Sequence, residues 1–294
     1  MQLTVLVDDS RNSAKPEITA KHGLSLFIKL KVGRRIVNLL MDTGPSADIV
    51  LKNAQKLGID LRKVDFIVLS HGHYDHTGGL LGVLKYIDKK VPVILHPEAL
   101  EPKFVVKKKR LKKVGVPFPI SELGESRCVL SLNRWPSSIM PGVWVSGEIK
   151  RISPFEKVKG FKVRYGGKLL RDNMLDDQAL FVKVKDKGLV VVSGCAHAGL
   201  INTIKQARRI TGSDGLYAVV GGFHLAGASA RRIKATVDEL HKADVKFVMP
   251  CHCTGKKAIS KFVEALGEKC QKIRTGDLVV VENTPKIFMC NSTI

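Results

Sequence analysis

The chain is poor in acid, poor in cysteine and without long apolar runs, and each shortage narrows what it can be. Asp and Glu number 27 against 49 Lys and Arg in 294 residues, a formal net charge of +22. That imbalance calls for anionic partners, whether phosphate-bearing substrates, nucleic acid or acidic surfaces, and does not choose among them. Because Lys and Arg are scattered along the whole chain, charge alone does not mark a nucleic-acid interface. The six cysteines, Cys128, Cys195, Cys251, Cys253, Cys270 and Cys290, are too sparse for a disulfide scaffold at this length, and three sit close to histidines, so reduced thiols are expected. No apolar stretch approaches a membrane span, and none pairs a basic region with an apolar segment and a small-residue cleavage site. The expectation is a cytoplasmic protein with no membrane partner. No repeat of solenoid period is found. At 44% hydrophobic and 26% charged, the chain can bury a substantial core and reads as a single domain over 1–294.

What is present is a recurring unit. Five β-rich apolar runs end in a cluster of Gly, Asp, His or Cys: 36–41 runs into Asp42-Thr43-Gly44, 64–69 into Ser70-His71-Gly72-His73, 189–192 into Ser193-Gly194-Cys195-Ala196-His197, 216–220 into Gly221-Gly222-Phe223-His224, and 245–249 into Pro250-Cys251-His252-Cys253. Between them, 200–210, 230–242 and 256–267 carry apolar residues at three-to-four spacing with charged residues opposite, which predicts helices. Strands alternating with helices imply an α/β architecture, in which loops at the carboxyl ends of the strands converge on one rim. The stretch at about 101–176 breaks the rhythm with prolines at 102, 117, 119, 136, 141 and 154 and a basic run from Lys107 to Lys113. It reads as an insertion of hairpins and turns.

His71-Gly72-His73-Tyr74-Asp75-His76 packs four metal-ligand side chains into six positions after an apolar strand. Imidazole nitrogen and carboxylate oxygen suit zinc and related divalent ions, and the spacing suggests two adjacent sites. The alternative, a polar surface turn, fits poorly with the other histidine-bearing strand ends. Cys195, Cys251 and Cys253 read as small buried thiols, since neighbouring residues of a strand point to opposite faces. His22, His96 and His241 read as ordinary turn, strand-end and helix-surface residues, and Asp176 and Asp177 as the opening of a strand near Leu180.

His71-x-His73-x-Asp75-His76 resembles the signature of the metallo-β-lactamase superfamily. The resemblance implies a four-layer αβ/βα sandwich and one or two divalent ions per chain, zinc foremost, with manganese, iron and magnesium as alternatives. It makes His71, His73 and His197 ligands of one ion and Asp75, His76 and His252 ligands of a second. Asp42 matches the first motif of the superfamily and would act on a ligand imidazole by fixing its tautomer. Where most members place a bridging Asp, this chain has Gly221-Gly222-Phe223-His224, so His224 becomes a candidate for ligation, substrate contact or proton transfer.

Asp176-Asp177-Gln178-Ala179-Leu180, Ser193 to Gly199, Gly221 to Leu225 and Pro250 to Gly255 together resemble the subfamily assigned as 7,8-dihydropterin-6-methyl-4-(β-D-ribofuranosyl)aminobenzene-5'-phosphate synthases, also labelled dihydropteroate-synthase-like. The resemblance implies a small phosphorylated substrate and coupling of a dihydropterin-methyl diphosphate to a ribofuranosyl-aminobenzene phosphate; Asp75 and His224 are the candidate catalytic groups, either of which could assist proton transfer in a hydrolase. Lys107, Lys109 and Arg110 are candidate substrate contacts. The competing reading is a metal-dependent hydrolase of a small phosphoester or ester. A nuclease is less favoured, since no additional nuclease motif set follows the shared core, and so is a non-catalytic binding protein, since the ligand set is nearly complete. Di-iron oxygen chemistry fits less well, because that branch usually has Glu where this chain has His73.

Overall fold

The computed structural model describes residues 1–281 and the backbone of 286–288. The described residues form two compact units, one of residues 1–133, 160–176, 274–281 and 286–288, the other of residues 134–159 and 177–273.

The first unit is built on an eight-stranded sheet in the order Lys286–Phe288, Leu278–Val280, Gln2–Val7, Ser25–Val32, Arg35–Met41, Phe66–Val68, Val91–Leu95 and Cys128–Leu132. Pairing is antiparallel up to Arg35–Met41 and parallel from there on. Parallel strands need crossovers, and helices Ala47–Lys56 and Leu80–Ile87 supply the first two, while the third runs through the hairpin of Lys103–Lys107 and Arg110–Lys113 and the short helix Ser121–Glu125. The apolar faces of the first two helices (Ile49, Val50, Ala54, Leu80, Val83, Leu84, Ile87) bury Leu40, Ile67, Val91, Val93 and Leu95 in one cluster. A separate antiparallel sheet of Lys168–Arg171, Phe161–Tyr165, Lys103–Lys107 and Arg110–Lys113 completes this unit.

The second unit has a six-stranded sheet in the order Phe247–Cys251, Leu216–Gly222, Gly188–Ser193, Ala179–Val184, Val143–Val145 and Ser137–Met140. The first three are mutually parallel. Leu189 to Val192 and Leu216 to Val220 are buried throughout, the near-continuous apolar pattern of parallel strands covered on both faces. Helices Leu200–Thr211, Ala230–Lys242 and Lys256–Leu266 fall where three-to-four spacing predicts them. Leu200, Ile204, Ile233, Val237, Phe262 and Leu266 pack with Phe181, Val191, Val219 and Val248.

The strands at 36–41, 64–69, 189–192, 216–220 and 245–249 are all present, within two residues of expectation or shorter at the ends. The proline-punctuated stretch contributes to three sheets: two hairpins to the small sheet, Cys128–Leu132 to the edge of the eight-stranded sheet, and Ser137–Met140 with Val143–Val145 to the second unit. Among the described residues no helix is long and apolar enough to cross a membrane, and none of Cys128, Cys195, Cys251, Cys253 and Cys270 is in a disulfide. Cys290 lies outside the described residues.

Candidate metal centre

In the first unit, the parallel strands Arg35–Met41 and Phe66–Val68 deliver Asp42 and Ser70-His71 to the same edge of the sheet. Asp42 is fully buried and holds a left-handed backbone, φ 61°, a conformation that costs free energy for a non-glycine residue and clusters at functional sites. Its Oδ1 accepts the Ser70 N–H at 2.7 Å, and its Oδ2 lies 2.7 Å from both Ser70 Oγ and His76 Nδ1. A carboxylate only accepts, so His76 Nδ1–H and Ser70 Oγ–H both donate to it. Ser70 Oγ, its proton spent on Asp42, accepts from His71 Nδ1–H at 2.9 Å. One carboxylate thereby fixes the tautomer of two imidazoles and leaves Nε2 of each as the lone-pair nitrogen. His71 Nε2 lies 2.9 Å from His73 Nδ1. Burial pushes His73 down to about 3, so this imidazole is neutral.

Several contacts hold the loop. His76 O accepts Thr43 N–H at 2.7 Å and Thr43 Oγ1–H at 3.0 Å. Gly72 comes so close to Ala99 that a Cβ would sit 2.0 Å from its carbonyl oxygen, which excludes any side chain there. The Gly72 N–H donates to Asp176 Oδ2 at 2.8 Å. Asp176 Oδ1 in turn pairs with Lys103 Nζ at 2.9 Å, and Asp172 Oδ2 with the same ammonium at 2.8 Å. Lys103 is 0% exposed and heads the fully buried large side chains. Burial pushes its ammonium down, but Asp176 and Asp172 more than offset this and hold it above its ordinary value. Asp75 is also buried, with Oδ2 3.3 Å from His22 Nε2, while His22 Nδ1 reaches Asp9 Oδ2 at 3.1 Å. His22 is thus a link between two carboxylates, not an ordinary turn residue.

Lys107, Lys109 and Arg110 lie exposed at the turn of the hairpin Lys103–Lys107 and Arg110–Lys113. The hairpin is tied to the histidine loop at its base, where Val114 O accepts the Tyr74 N–H at 2.8 Å.

In the second unit, three parallel strands end in loops bearing His197, His224 and His252. Each loop contains a non-glycine residue in the left-handed region: Ala196 (φ 49°), His224 (φ 44°) and His252 (φ 45°). The rings of His197 and His224 are 4.1 Å apart. One ligand atom each of Cys195, His197 and His224 lies within 4.8 Å of the other two, and so do those of Cys195, His252 and Cys253. Cys253 Sγ accepts the His224 N–H at 3.3 Å. Burial pushes the Cys253 thiol up, yet the Cys195 side chain, His252 and His224 together hold it well below the ordinary thiol range.

Two carboxylates set the His197 loop. Asp177 Oδ2 accepts the Ala198 N–H at 2.8 Å. Glu156, 4% exposed, accepts Ile201 N–H at 2.9 Å and Asn202 N–H at 2.8 Å. Gly199 precedes helix Leu200–Thr211 and has no side chain to cap it, so Glu156 satisfies the helix N-terminus from a distant part of the chain. Asp176 and Asp177 therefore do not merely open the strand Ala179–Val184; each anchors a histidine loop in its own unit. Lys103, Glu156 and His22 were not legible as site residues. Only the adjacent acids of Asp176-Asp177 carried any signal.

These donors suit a divalent ion: a buried neutral imidazole at His73, tautomers of His71 and His76 fixed by an acceptor behind them, and thiols close to imidazoles. Fold and loops together define an α/β protein built to present imidazole donors at the ends of parallel strands. The chain belongs to the metallo-β-lactamase superfamily: residues 37–162 match the metallo-beta-lactamase superfamily model. It is 38% identical, over 88% of its length and 90% of the relative's, to 7,8-dihydropterin-6-methyl-4-(β-D-ribofuranosyl)-aminobenzene-5'-phosphate synthase of Methanocaldococcus jannaschii. A second protein of that organism, of uncharacterised function, is 32% identical over 88% of this chain and 93% of its own. The crystal structure of Tm1679, described as a metal-dependent hydrolase of the β-lactamase superfamily, superposes with a TM-score of 0.80 at 31% identity, covering 96% of this chain and all of the other. Zinc-bound PqqB from Methylobacterium extorquens shares the fold alone, at a TM-score of 0.53 and 13% identity.

Proposed function

We propose that the protein is a metal-dependent synthase that couples a dihydropterin-methyl diphosphate to ribofuranosyl-aminobenzene 5'-phosphate in the biosynthesis of a pterin cofactor. The observation that carries this reading is the 38% identity to the M. jannaschii synthase across 88% of the chain. The ligand assignment follows the superfamily signature: His71, His73 and His197 for one ion, and Asp75, His76 and His252 for a second, with zinc as the metal. A bound divalent ion supplies positive charge to the departing diphosphate, a contribution on the order of several kcal/mol. The remaining work falls to the chain. Asp42 keeps Nε2 of His71 and His76 available by holding their Nδ1 protons, directly for His76 and through Ser70 for His71. In the reaction the arylamine nitrogen forms a bond to the pterin methyl carbon, the carbon–oxygen bond to diphosphate breaks, and the arylamine proton is lost. Asp75 or His224 is assigned to accept that proton. Lys107, Lys109 and Arg110 bring positive charge to phosphate groups, and we place the enzyme in the cytoplasm, with small phosphorylated molecules as its partners.

The test incubates the zinc-loaded protein with the two substrates and follows diphosphate release and product mass. Coupled product, slowed by orders of magnitude on chelation, is expected. Coupling indifferent to chelation would contradict the metal's role. The second reading, a hydrolase of a small phosphoester or ester, is favoured by the likeness to Tm1679. It replaces the first if phosphodiesters or esters are hydrolysed and no coupling occurs, whereas efficient cleavage of structured RNA would favour a nuclease.

A further inference from the structure

Three elements of the second unit carry sulfur and imidazole to one place. Strand Gly188–Ser193 leads to Cys195 and His197, strand Leu216–Gly222 to His224, and strand Phe247–Cys251 to His252 and Cys253. Cys195 Sγ belongs to both close groups: it lies within 4.8 Å of a ring nitrogen of His197 and of His224, and within 4.8 Å of His252 and of Cys253 Sγ. The arrangement is shaped by a missing side chain. A Cβ on Gly222 would stand 2.7 Å from Cys253 Sγ and 2.4 Å from Gly194 O, so the strand end from which a carboxylate could have projected is bare, and the Cys253 sulfur lies over it. Hydrogen bonds hold this crossing together. The Gly222 N–H donates to Gly194 O at 3.1 Å, the Phe223 N–H to Thr254 Oγ1 at 3.1 Å, and the His224 N–H to Cys253 Sγ at 3.3 Å.

The neighbouring Cys251 gives the contrast. It is fully buried as the last residue of its strand and takes no part in either group.

We propose that Cys195 is a thiolate ligand between His197 and His252, seconded by Cys253, so that the metal centre is sulfur-ligated where the strand Leu216–Gly222 offers no carboxylate. The proposal rests on the metal-centre reading above and adds to it a donor type and therefore a metal class. Thiolate with imidazole selects a borderline-soft ion such as zinc, or iron or cobalt in its divalent state, over magnesium or manganese. Binding converts each ligating thiol to thiolate with release of its proton to solvent.

X-ray absorption at the zinc edge of the full-length, zinc-reconstituted protein tests this without any substitution. A sulfur shell at about 2.3 Å beside nitrogen and oxygen at about 2.0–2.1 Å is expected. Cys195→Ser with Cys253→Ser should remove the sulfur shell and weaken zinc binding at least tenfold, while Cys251→Ser leaves the shell in place. Zinc bound with nitrogen and oxygen neighbours alone overturns the thiolate proposal and leaves the metal-centre reading standing. Failure to bind zinc, cobalt or iron at all overturns that reading itself. A Cys195–Cys253 disulfide in anaerobically purified protein, seen by mass spectrometry, also overturns the proposal.

Discussion

Replacing Lys103 with Met probes how the histidine loop of the first unit is supported. The ammonium lies 2.8 Å from Asp172 Oδ2 and 2.9 Å from Asp176 Oδ1, with both carboxylates buried. Methionine fills much of the same volume but leaves two like charges facing each other out of water. Breaking a buried ion pair from one side costs about 3–5 kcal/mol. With a urea m-value on the order of 2–3 kcal/mol per M, the unfolding midpoint should fall by roughly 1–2.5 M. Both tryptophans, Trp135 and Trp144, lie in the second unit, so their fluorescence serves as an internal reference. Hydrogen exchange of peptides spanning 70–78 reports on the first unit. The triple variant Lys103→Met, Asp172→Asn, Asp176→Asn removes all three charges and should recover most of the loss, since a buried pair exchanged for neutral groups is often near neutral in stability. The reasoning fails if the single variant lies within about 1 kcal/mol of the parent, or if the triple variant is no more stable than the single one. Asp176 also accepts the Gly72 N–H, so Asp176→Ala should weaken metal binding on the order of 10–100-fold, as losses behind metal ligands do.

Asp42→Asn keeps the size of the side chain but presents an amide that can donate where His71 and His76 need an acceptor; metal affinity measured by competition with a chelator should fall about 10–100-fold, and an unchanged affinity would remove Asp42 from the site. Paired His73→Ala and His252→Ala substitutions should strip metal measurably by elemental analysis, and undiminished content in the double variant would contradict the ligand assignment. Glu156 titrates in the direction of its burial: pushed above its ordinary value of 4.5, its contribution to stability is complete below that value and is lost as pH rises through the raised one. The stability of the parent relative to Glu156→Gln should therefore decline from about pH 4 toward neutrality, and a difference that grows with pH would reverse the argument. Replacing Lys107, Lys109 and Arg110 together with Ser changes exposed positions only, so stability should stay within about 0.5 kcal/mol while KM for a phosphorylated substrate rises; an unchanged KM would take the hairpin out of substrate binding.

The strands and helices that carry the histidine loops were legible because they obey local rules. Parallel strands buried on both faces read as continuous Val, Ile and Leu, as in Leu189 to Val192, and the helices between them keep three-to-four spacing, so type and position follow from the one-dimensional pattern. His71 to His76 was legible for the same reason, its donors being crowded into six positions. The supports were not. Lys103 meets Asp172 at a separation of 69 residues, Glu156 reaches Ile201 across 45, and Asp176 reaches Gly72 across 104. A buried lysine and an ordinary surface lysine look identical until the chain is folded, and in so basic a sequence Lys103 was one of many.

The cysteines show a different kind of limit. Alternation along a strand holds only while the backbone stays extended, and under it Cys251, His252 and Cys253 cannot all face one way. The strand ends at Cys251, however, and His252 turns into the left-handed region at φ 45°, opening a 3-10 turn over His252–Thr254. From that residue onward the period of two no longer applies. Cys253 is carried to His224 and Cys195, while Cys251 stays in the strand. The turn requires Gly255 at φ 80°, where a side chain would meet Ala226 at 2.8 Å, and the sulfur requires Gly222, where a Cβ would stand 2.7 Å from it. Two glycines thirty-odd residues apart thus decide which cysteine joins the histidines. Gly222→Ala is no clean probe of this, since its Cβ would also stand 2.4 Å from Gly194 O, whereas Cys253→Ser alone removes that one sulfur and adds no bulk to either loop. Zinc-edge absorption on that variant separates the two cysteines: loss of part of the sulfur shell is expected if Cys253 ligates, and an unchanged shell would assign all of the sulfur scattering to Cys195.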